Sequence, residues 1–357
     1  MKTEIFGTFG PACKERKVLK DMIHMGMTGM RLNLSHTTLD ASEEYISVYR
    51  GVADDAGVRA QILIDMQGPE LRVGELKAPV RLEDRQIICI SSKQNENVDM
   101  DLGISECVLK HADRIDEQTI LVPREVIGTA EIGDEILFDD GKLLVQVIEK
   151  SICGKDGMTL KAEVVRGGTL HEHKSVKIVG KNVKMPPLTF HDIENIKLAK
   201  EYGVTALMQP FVLSGADLRY VRKTLEAYGA EEIKIYAKIE NRMGVENLSD
   251  ILPEADVIII ARGDLGNDMP LWELPKVQKQ IEEECKDAGK PYIVVTQMLA
   301  SMEKSPVPTR AEVSDIYHAV YHGAWGVMVT GETAIGEYPV ETIQYLTNTA
   351  REAERGL

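Results

Sequence analysis

Cysteine pairs at metal or redox spacing are missing from this chain. Its five cysteines, Cys13, Cys89, Cys107, Cys153 and Cys285, are scattered with no CxxC among them. That pattern excludes a zinc ribbon and fits reduced intracellular thiols better than a disulfide frame. No apolar run approaches the roughly 20 residues of a bilayer-spanning helix. The amino terminus enters Thr3-Glu4-Ile5-Phe6 without the basic and apolar regions of a signal peptide, so a cytoplasmic location is expected. Positive charge is in deficit: 42 Lys and Arg stand against 57 Asp and Glu, a net charge of −15. Broad binding to nucleic acid or to an anionic membrane wants a basic face and is not expected. An anionic small substrate remains open, because a few basic residues focused in a cleft override the global sign. Also absent are a Walker-type glycine loop, a GxGxxG after a strand, HExxH and GxSxG, which removes the usual support for several enzyme classes. Internal repeats and low-complexity tracts are absent too.

What is present is an alternation. Strand-like runs occur at Glu4–Thr8, Gly29–Leu34, Ala60–Asp65, Val204–Gln209, Ile233–Ile239, Val257–Ala261, Tyr292–Thr296 and Gly326–Thr330. Between them, helical spacing marks Lys14–His24, Asp40–Ala56, Asp192–Tyr202, Ala216–Tyr228, Val277–Ala288, Ala311–Tyr321 and Val340–Glu354. Eight strands, each followed sooner or later by a helix, predict an α/β fold of the (β/α)8 TIM-barrel type. One connection is out of proportion. From about Val73 to Lys174 the pattern becomes short β runs with turn signals, and Asp140-Gly141 between apolar runs predicts a hairpin. This reads as a small β domain inserted after the third strand. The expected organisation is therefore barrel over 1–72, an inserted β-barrel lid domain over 73–175, and barrel again over 176–357.

In such a barrel the active site lies at the C-terminal ends of the strands. The residues there are Thr8; Arg31, Asn33 and Ser35; Asp65; Gln209; Lys238 and Glu240; Arg262 and Asp264; Thr296; and Thr330. A polar strand end is ordinary where it meets solvent, but Lys-x-Glu, Arg-Gly-Asp and a buried-strand Asp65 on one rim are not. Side chains alternate along a strand, so Lys238 and Glu240 share a face while Ile239 points away. Glu240 and Asp264 can hold magnesium, which usually takes one or two protein carboxylates plus substrate oxygens. Gly263 and Asp264 open a segment whose free N–H groups can receive a carboxylate. Lys238 and Arg31 can stabilise a phosphoryl group in transfer. Asn33, Ser35 and Asp65 are all-oxygen ligands suited to a monovalent cation. His36 adjoins this cluster. His171 and His173 flank Glu172 in what reads as a solvated loop, and Met22, Met25, Met27 and Met30 read as core packing.

Several ordered motifs carry a family resemblance. Thr8-Phe9-Gly10-Pro11, Met30-Arg31-Leu32-Asn33-Leu34-Ser35-His36 and Asp65-Met66-Gln67-Gly68-Pro69-Glu70-Leu71-Arg72 are three of them. Lys238-Ile239-Glu240-Asn241 and Ala261-Arg262-Gly263-Asp264-Leu265-Gly266 follow, then Gly289-Lys290-Pro291 with Thr296-Gln297-Met298-Leu299. Pro308-Thr309-Arg310-Ala311-Glu312-Val313-Ser314-Asp315 and Thr330-Gly331-Glu332-Thr333-Ala334 complete the series. Together they resemble the signatures of pyruvate kinase, collinear along essentially the whole chain.

The resemblance implies phosphoryl transfer from phosphoenolpyruvate to ADP, giving pyruvate and ATP, with Mg2+ (or Mn2+) and K+ as cofactors. It implies that Lys238 and Arg31 stabilise the phosphoryl group and that Glu240 and Asp264 bind the divalent metal. The substrate would meet Arg262, the Gly263–Asp264 backbone and Thr296, with Thr296 and Thr330 helping to deliver a proton to the enolate. Asn33, Ser35, Asp65 and the Met66 carbonyl correspond to the potassium site, with Glu70 at the position of an acidic residue seen in potassium-dependent members. Thr8, Pro11, His36, Arg72 and Lys174 fall at nucleotide-contacting positions, and the inserted domain would close as a lid. A homo-oligomer is expected, because Pro308–Asp315 resembles a subunit-contact helix. The chain stops at Leu357, so the C-terminal regulatory domain and its control by a sugar phosphate are expected to be absent. Pro210-Phe211-Val212-Leu213 stands where the family has Ser-Phe-Val-Arg, Met66-Gln67 where it has Thr-Lys, and Thr330 where it has serine. Two other readings stay open: a magnesium-dependent lyase acting on a pyruvate enolate in the same barrel, and a non-catalytic metabolite-binding paralogue.

Overall fold

In the computed structural model, which describes residues 3–35, 37–69, 71–92, 119–139, 141–153, 157–181 and 183–357, the chain divides into two units. One comprises Met1–Pro69 with Pro186–Leu357, the other Glu70–Met185.

The first unit begins with β1 (Glu4–Thr8), β2 (Gly29–Asn33) and β3 (Gln61–Asp65). The second contributes β4 (Val80–Leu82), β5 (Ile87–Ser92), β6 (Thr119–Val122), β7 (Glu135–Phe138), β8 (Leu143–Cys153), β9 (Gly157–Arg166), β10 (Gly168–Leu170) and β11 (Val176–Ile178). The first unit then resumes with β12 (Ala206–Gln209), β13 (Lys234–Ile239), β14 (Val257–Ala261), β15 (Tyr292–Val295) and β16 (Gly326–Met328).

In the first unit the strands close into a barrel in the order β1-β16-β15-β14-β13-β12-β3-β2. All of its pairings are parallel, as the βα alternation requires. β14 shows why such strands read as unbroken apolar runs. All five of its residues are buried, with Ile258 and Ile260 packed outward under the helices and Val257, Ile259 and Ala261 packed inward. The lumen is filled by Phe6, Leu63, Met208, Tyr236, Ile259, Ile293 and Met328, with Trp325 against them. It is a packed core and not a pore.

Local signals place the outer helices. Thr189 with Asp192, Ser214 with Asp217 and Thr309 with Glu312 form capping boxes that start the helices Phe190–Ala199, Gly215–Ala227 and Arg310–Tyr321. Gly26, at φ 114°, ends Arg16–Met25 in the left-handed region that glycine adopts without penalty. Short helices at Arg242–Glu246, Leu248–Ile251, Arg262–Asn267 and Gly331–Ala334 escape sequence reading, because so few residues cannot establish a helical period.

In the second unit the order is β11-β7-β8-β9-β5-β6, with a separate β10-β4 pair. β7 and β8 pair antiparallel with Phe138 opposite Leu143, while Asp140 of the expected Asp140-Gly141 hairpin lies outside the described residues. Among the described residues β11 and β6 are the edge strands of this sheet. β11 pairs with β7 and buries Val176 and Ile178 in this unit's own core, so the unit runs to 185 where 175 was expected.

Candidate active site

Strand alternation carries the lumen upward into a polar layer. In β2, β3 and β13 the inward-facing positions continue to Arg31 and Asn33, to Asp65, and to Lys238, with Glu240 just beyond the strand end. Asn33 and Asp65 stand in register on adjacent strands. The first apolar-to-polar step on each strand therefore delivers a charged group to the mouth of a water-poor barrel.

There Asp65 is the hub. Arg31 donates to its Oδ2 from Nε at 2.8 Å and from Nη2 at 2.5 Å. Lys238 Nζ lies 3.2 Å from Oδ1 and 3.3 Å from Oδ2 of the same carboxylate. Lys238 Nζ also lies 2.9 Å from Glu240 Oε1. Arg31 and Lys238 side chains are only 13% and 14% exposed, and Asp65 and Glu240 still less. Burial alone would raise the Asp65 carboxyl, but the Lys238 and Arg31 charges outweigh it and hold it below its ordinary value. Burial would lower Lys238, yet Asp65 and Glu240 win and raise it, so the lysine is a fixed cation. Glu240 goes the other way: burial, helped by the Asp264 charge, outweighs Lys238 and pushes it up to about 7.

Glu240 is also where the cradle is incomplete. Its Oε2 accepts from the Phe211 N–H at 2.8 Å. Its Oε1, though near Lys238, is buried without an aligned hydrogen bond. A buried carboxylate oxygen without a full complement of donors, with Asp264 exposed in the first turn of Arg262–Asn267, is a donor set that fits a hard divalent cation. Phe211 reaches Glu240 from a turn with φ 51°. The preceding Pro210 packs on Gly68, where an added Cβ would lie 2.3 Å from the proline ring. Gln67 and Gly68 in turn donate their N–H groups to the two oxygens of Asp192 at 2.8 and 3.0 Å. Asp192, fully buried, thus holds the loop after β3. Sequence analysis placed Asp192 only at the start of a helical segment, and its duty to this loop was not legible.

The turn after β15 is unusual. Thr296 and Gln297 sit at φ 73° and 53°, left-handed values that cost non-glycine residues about 1–3 kcal/mol each. Thr296 Oγ1 accepts the Gly263 N–H at 2.8 Å, which brings the threonine to the start of the Asp264 helix. Thr330 belongs to the neighbouring loop. Its N–H and hydroxyl donate to Glu332 Oε2 at 2.6 and 3.2 Å, and Glu332 Oε1 accepts the Leu299 N–H at 3.2 Å. Buried Glu332 therefore joins the two threonine loops, a role that no local pattern announces. Arg262 is held at the end of β15. Its Nη1 pairs with Asp315 Oδ2 at 2.7 Å and its Nη2 donates to the Thr296 carbonyl at 2.7 Å.

Among the remaining expected residues, Asn33 Oδ1 accepts the Ser35 N–H at 3.2 Å, so these two meet beside Asp65. All are oxygen donors of the kind a monovalent cation takes, with the Asp65 carboxylate shared with two cationic side chains. Met66 is buried, its N–H bonded to the Met208 carbonyl. Thr8 is also buried, donating its hydroxyl to the Val329 carbonyl at 2.9 Å and accepting from Arg31 Nη1 at 3.2 Å. Pro11 is exposed in a short 3-10 turn. Arg72 and Lys174 belong to the second unit, where Arg72 Nη1 donates to the His173 carbonyl at 2.5 Å and Lys174 pairs with Asp139 at 3.1 Å. His36 and Glu70 lie outside the described residues.

Comparison with known proteins gives the family. A family model described as "Pyruvate kinase, barrel domain" matches residues 1–343. Curated relatives named pyruvate kinase include one from Bacillus licheniformis, 34% identical over 359 residues and covering all of this chain. Another, from Sporosarcina psychrophila, is 36% identical over 357 residues, and one from Chlamydia pneumoniae is 33% identical over 356. The chain spans 58% of the length of the first two and 69% of the third.

Proposed function

Because the chain belongs to the pyruvate kinase family, we propose that it moves the phosphoryl group of phosphoenolpyruvate to ADP, yielding pyruvate and ATP. The observation that carries this reading is the buried Arg31–Asp65–Lys238–Glu240 array. It keeps two cations side by side, aimed by one carboxylate, where a transferring phosphoryl group accumulates charge. Electrostatics fixed in advance of the reaction supply most of the rate in such chemistry.

Lys238 and Arg31 stabilise the phosphoryl group, and Asp65 prevents either from turning away. The Asp264 backbone and the corner beside it, where the Gly263 N–H holds Thr296 Oγ1, receive the substrate carboxylate. Arg262 enters this reading only through its hold on Thr296. Glu240 and Asp264 hold magnesium or manganese, which supplies Lewis-acid charge neutralisation when bound. Asn33, Ser35, Asp65 and Met66 serve potassium. Thr296 and Thr330, fixed by their backbone partners, bring hydroxyls to the proton path of the enolate. Thr8, Pro11, His36, Arg72 and Lys174 are assigned to the nucleotide, with the second unit excluding water.

The test is formation of pyruvate and ATP from phosphoenolpyruvate and ADP with magnesium, with and without potassium, beside Lys238→Met. We expect turnover that needs magnesium and falls at least about 1,000-fold in Lys238→Met, in line with the loss of a transition-state electrostatic group. Phosphoenolpyruvate binding without turnover would refute the kinase and favour a non-catalytic metabolite binder.

A further inference from the structure

Arg262 looks by position like a substrate residue, one place before Gly263 and two before Asp264. The geometry assigns it otherwise. Its side chain is 12% exposed and both terminal nitrogens are engaged: Nη1 on Asp315 Oδ2 at 2.7 Å, Nη2 on the Thr296 carbonyl at 2.7 Å and the Met298 sulfur at 2.9 Å. The turn it grips is the one held in the left-handed region at Thr296 and Gln297. A β-branched residue stays at positive φ only where its surroundings impose it. Three elements meet on this guanidinium. They are the Arg262–Asn267 helix with its metal-ligand candidate Asp264, the Thr296 turn, and the outer helix Arg310–Tyr321, which carries Asp315. The planar fork of arginine suits this bridge, because two nitrogens in fixed geometry reach two acceptors at once.

We propose that Arg262 is a positioning residue that acts through Thr296, keeping its hydroxyl on the Gly263 N–H, and that Asp315 on the outer helix sets the aim of the guanidinium. This rests on the phosphotransfer reading for its substrate. It goes beyond that reading by linking an outer helix to the carboxylate-receiving corner through one side chain. Glu332 secures the far end of the same turn at Leu299, so loss of Arg262 releases the Thr296 end while the turn stays anchored.

A double-mutant cycle tests this on the full chain: Arg262→Met, Thr296→Ala and the pair, read as kcat/KM for phosphoenolpyruvate and as phosphoenolpyruvate affinity by calorimetry. If Arg262 acts through Thr296, Arg262→Met lowers kcat/KM by about 10- to 100-fold in the wild-type background but about threefold or less beside Thr296→Ala. Equal losses in both backgrounds would overturn the proposal, since a direct substrate contact or a general folding role adds independently of Thr296. Arg262→Lys guards against an unfolded Arg262→Met: an ammonium keeps the charge but lacks the two-nitrogen fork by which Nη1 and Nη2 hold Asp315 and Thr296 separately. It should keep the thermal midpoint yet lose nearly as much as Arg262→Met, and wild-type kinetics from it would equally overturn the proposal. Asp315→Asn should fall between wild type and Arg262→Lys. Should the wild type bind phosphoenolpyruvate without turning it over, the phosphotransfer reading fails while the calorimetric cycle still decides the role of Arg262. No phosphoenolpyruvate binding by the wild type overturns both.

Discussion

Asp65 balances two buried cations, so its replacement is not a local event. Asp65→Asn removes the charge facing Arg31 and Lys238, and breaking a buried pair from one side typically costs about 3–5 kcal/mol. We expect a loss of that size in urea unfolding, with turnover abolished as the two cations separate. Gly68→Ala tests a steric claim. At φ 62° and with Pro210 2.3 Å from a new Cβ, alanine has neither the backbone freedom nor the space. It should destabilise by more than about 1 kcal/mol, whereas Gly57→Ala, at φ 67° in open space, shows the backbone term alone. Which residues would face the lumen was legible beforehand, because Lys238, Glu240, Asp65 and Arg31 follow from a two-residue period. The direction of Arg262 was not legible, since a residue at a strand-to-helix junction obeys neither the strand nor the helix period.

Helix Arg310–Tyr321 uses its start to hold the chain that follows the Thr296 turn. Glu312 accepts from the Thr309 N–H and hydroxyl at 2.7 and 2.8 Å, and from the Ser301 N–H and hydroxyl at 2.8 and 2.6 Å. Burial would raise its carboxyl, but these donors outweigh burial and hold it below its ordinary value of 4.5. A lowered carboxyl adds stability that is fully present above the unfolded value and is lost as pH falls through the folded one. Glu312→Gln should therefore unfold about 1 kcal/mol more easily than wild type at pH 7, in the range of a lost cap. The gap should close as pH falls below about 4.5, measured by denaturant midpoints across that range. The helical segment Ala311–Tyr321 was legible from its spacing. The short helices Arg242–Glu246 and Leu248–Ile251 were not, because their stability comes from packing Val245, Leu248 and Ile251 into the core.

Among the described residues the buried side chains form three clusters. Two lie in the first unit, one in the barrel lumen and one between strands and helices, and the third, including Phe138, Val145 and Leu160, fills the second unit. Chain entry and exit of the second unit run together, with Arg72 bridged to Ser175 and the Val73 N–H bonded to the Lys174 carbonyl at 2.8 Å. A variant in which residues 70–185 are replaced by a short glycine-serine linker should keep a single cooperative thermal transition, since the barrel loses none of its own core. On the proposed reading it should also lose phosphotransfer, because that reading assigns nucleotide contacts to Arg72 and Lys174. Molten behaviour of that variant by near-ultraviolet dichroism would contradict the independence of the cores.

The sequence by itself determined the strand-helix alternation, the barrel class, the inserted β unit and the identity of the residues at the strand tips. These depend on periods of two and 3.6 residues and on turn chemistry, all local properties of the chain. Tertiary structure alone decided how those residues are employed. The Lys238–Asp65 contact joins positions 173 residues apart, and Arg262 meets Asp315 across 53. Asp192 and Glu332, ordinary helix-start acids in sequence, became the anchors of strand-end loops only when closure of the barrel brought those loops within hydrogen-bond reach. No local pattern encodes which of several acceptors a guanidinium or carboxylate will find, because that choice is made by distances that exist only after the barrel has closed.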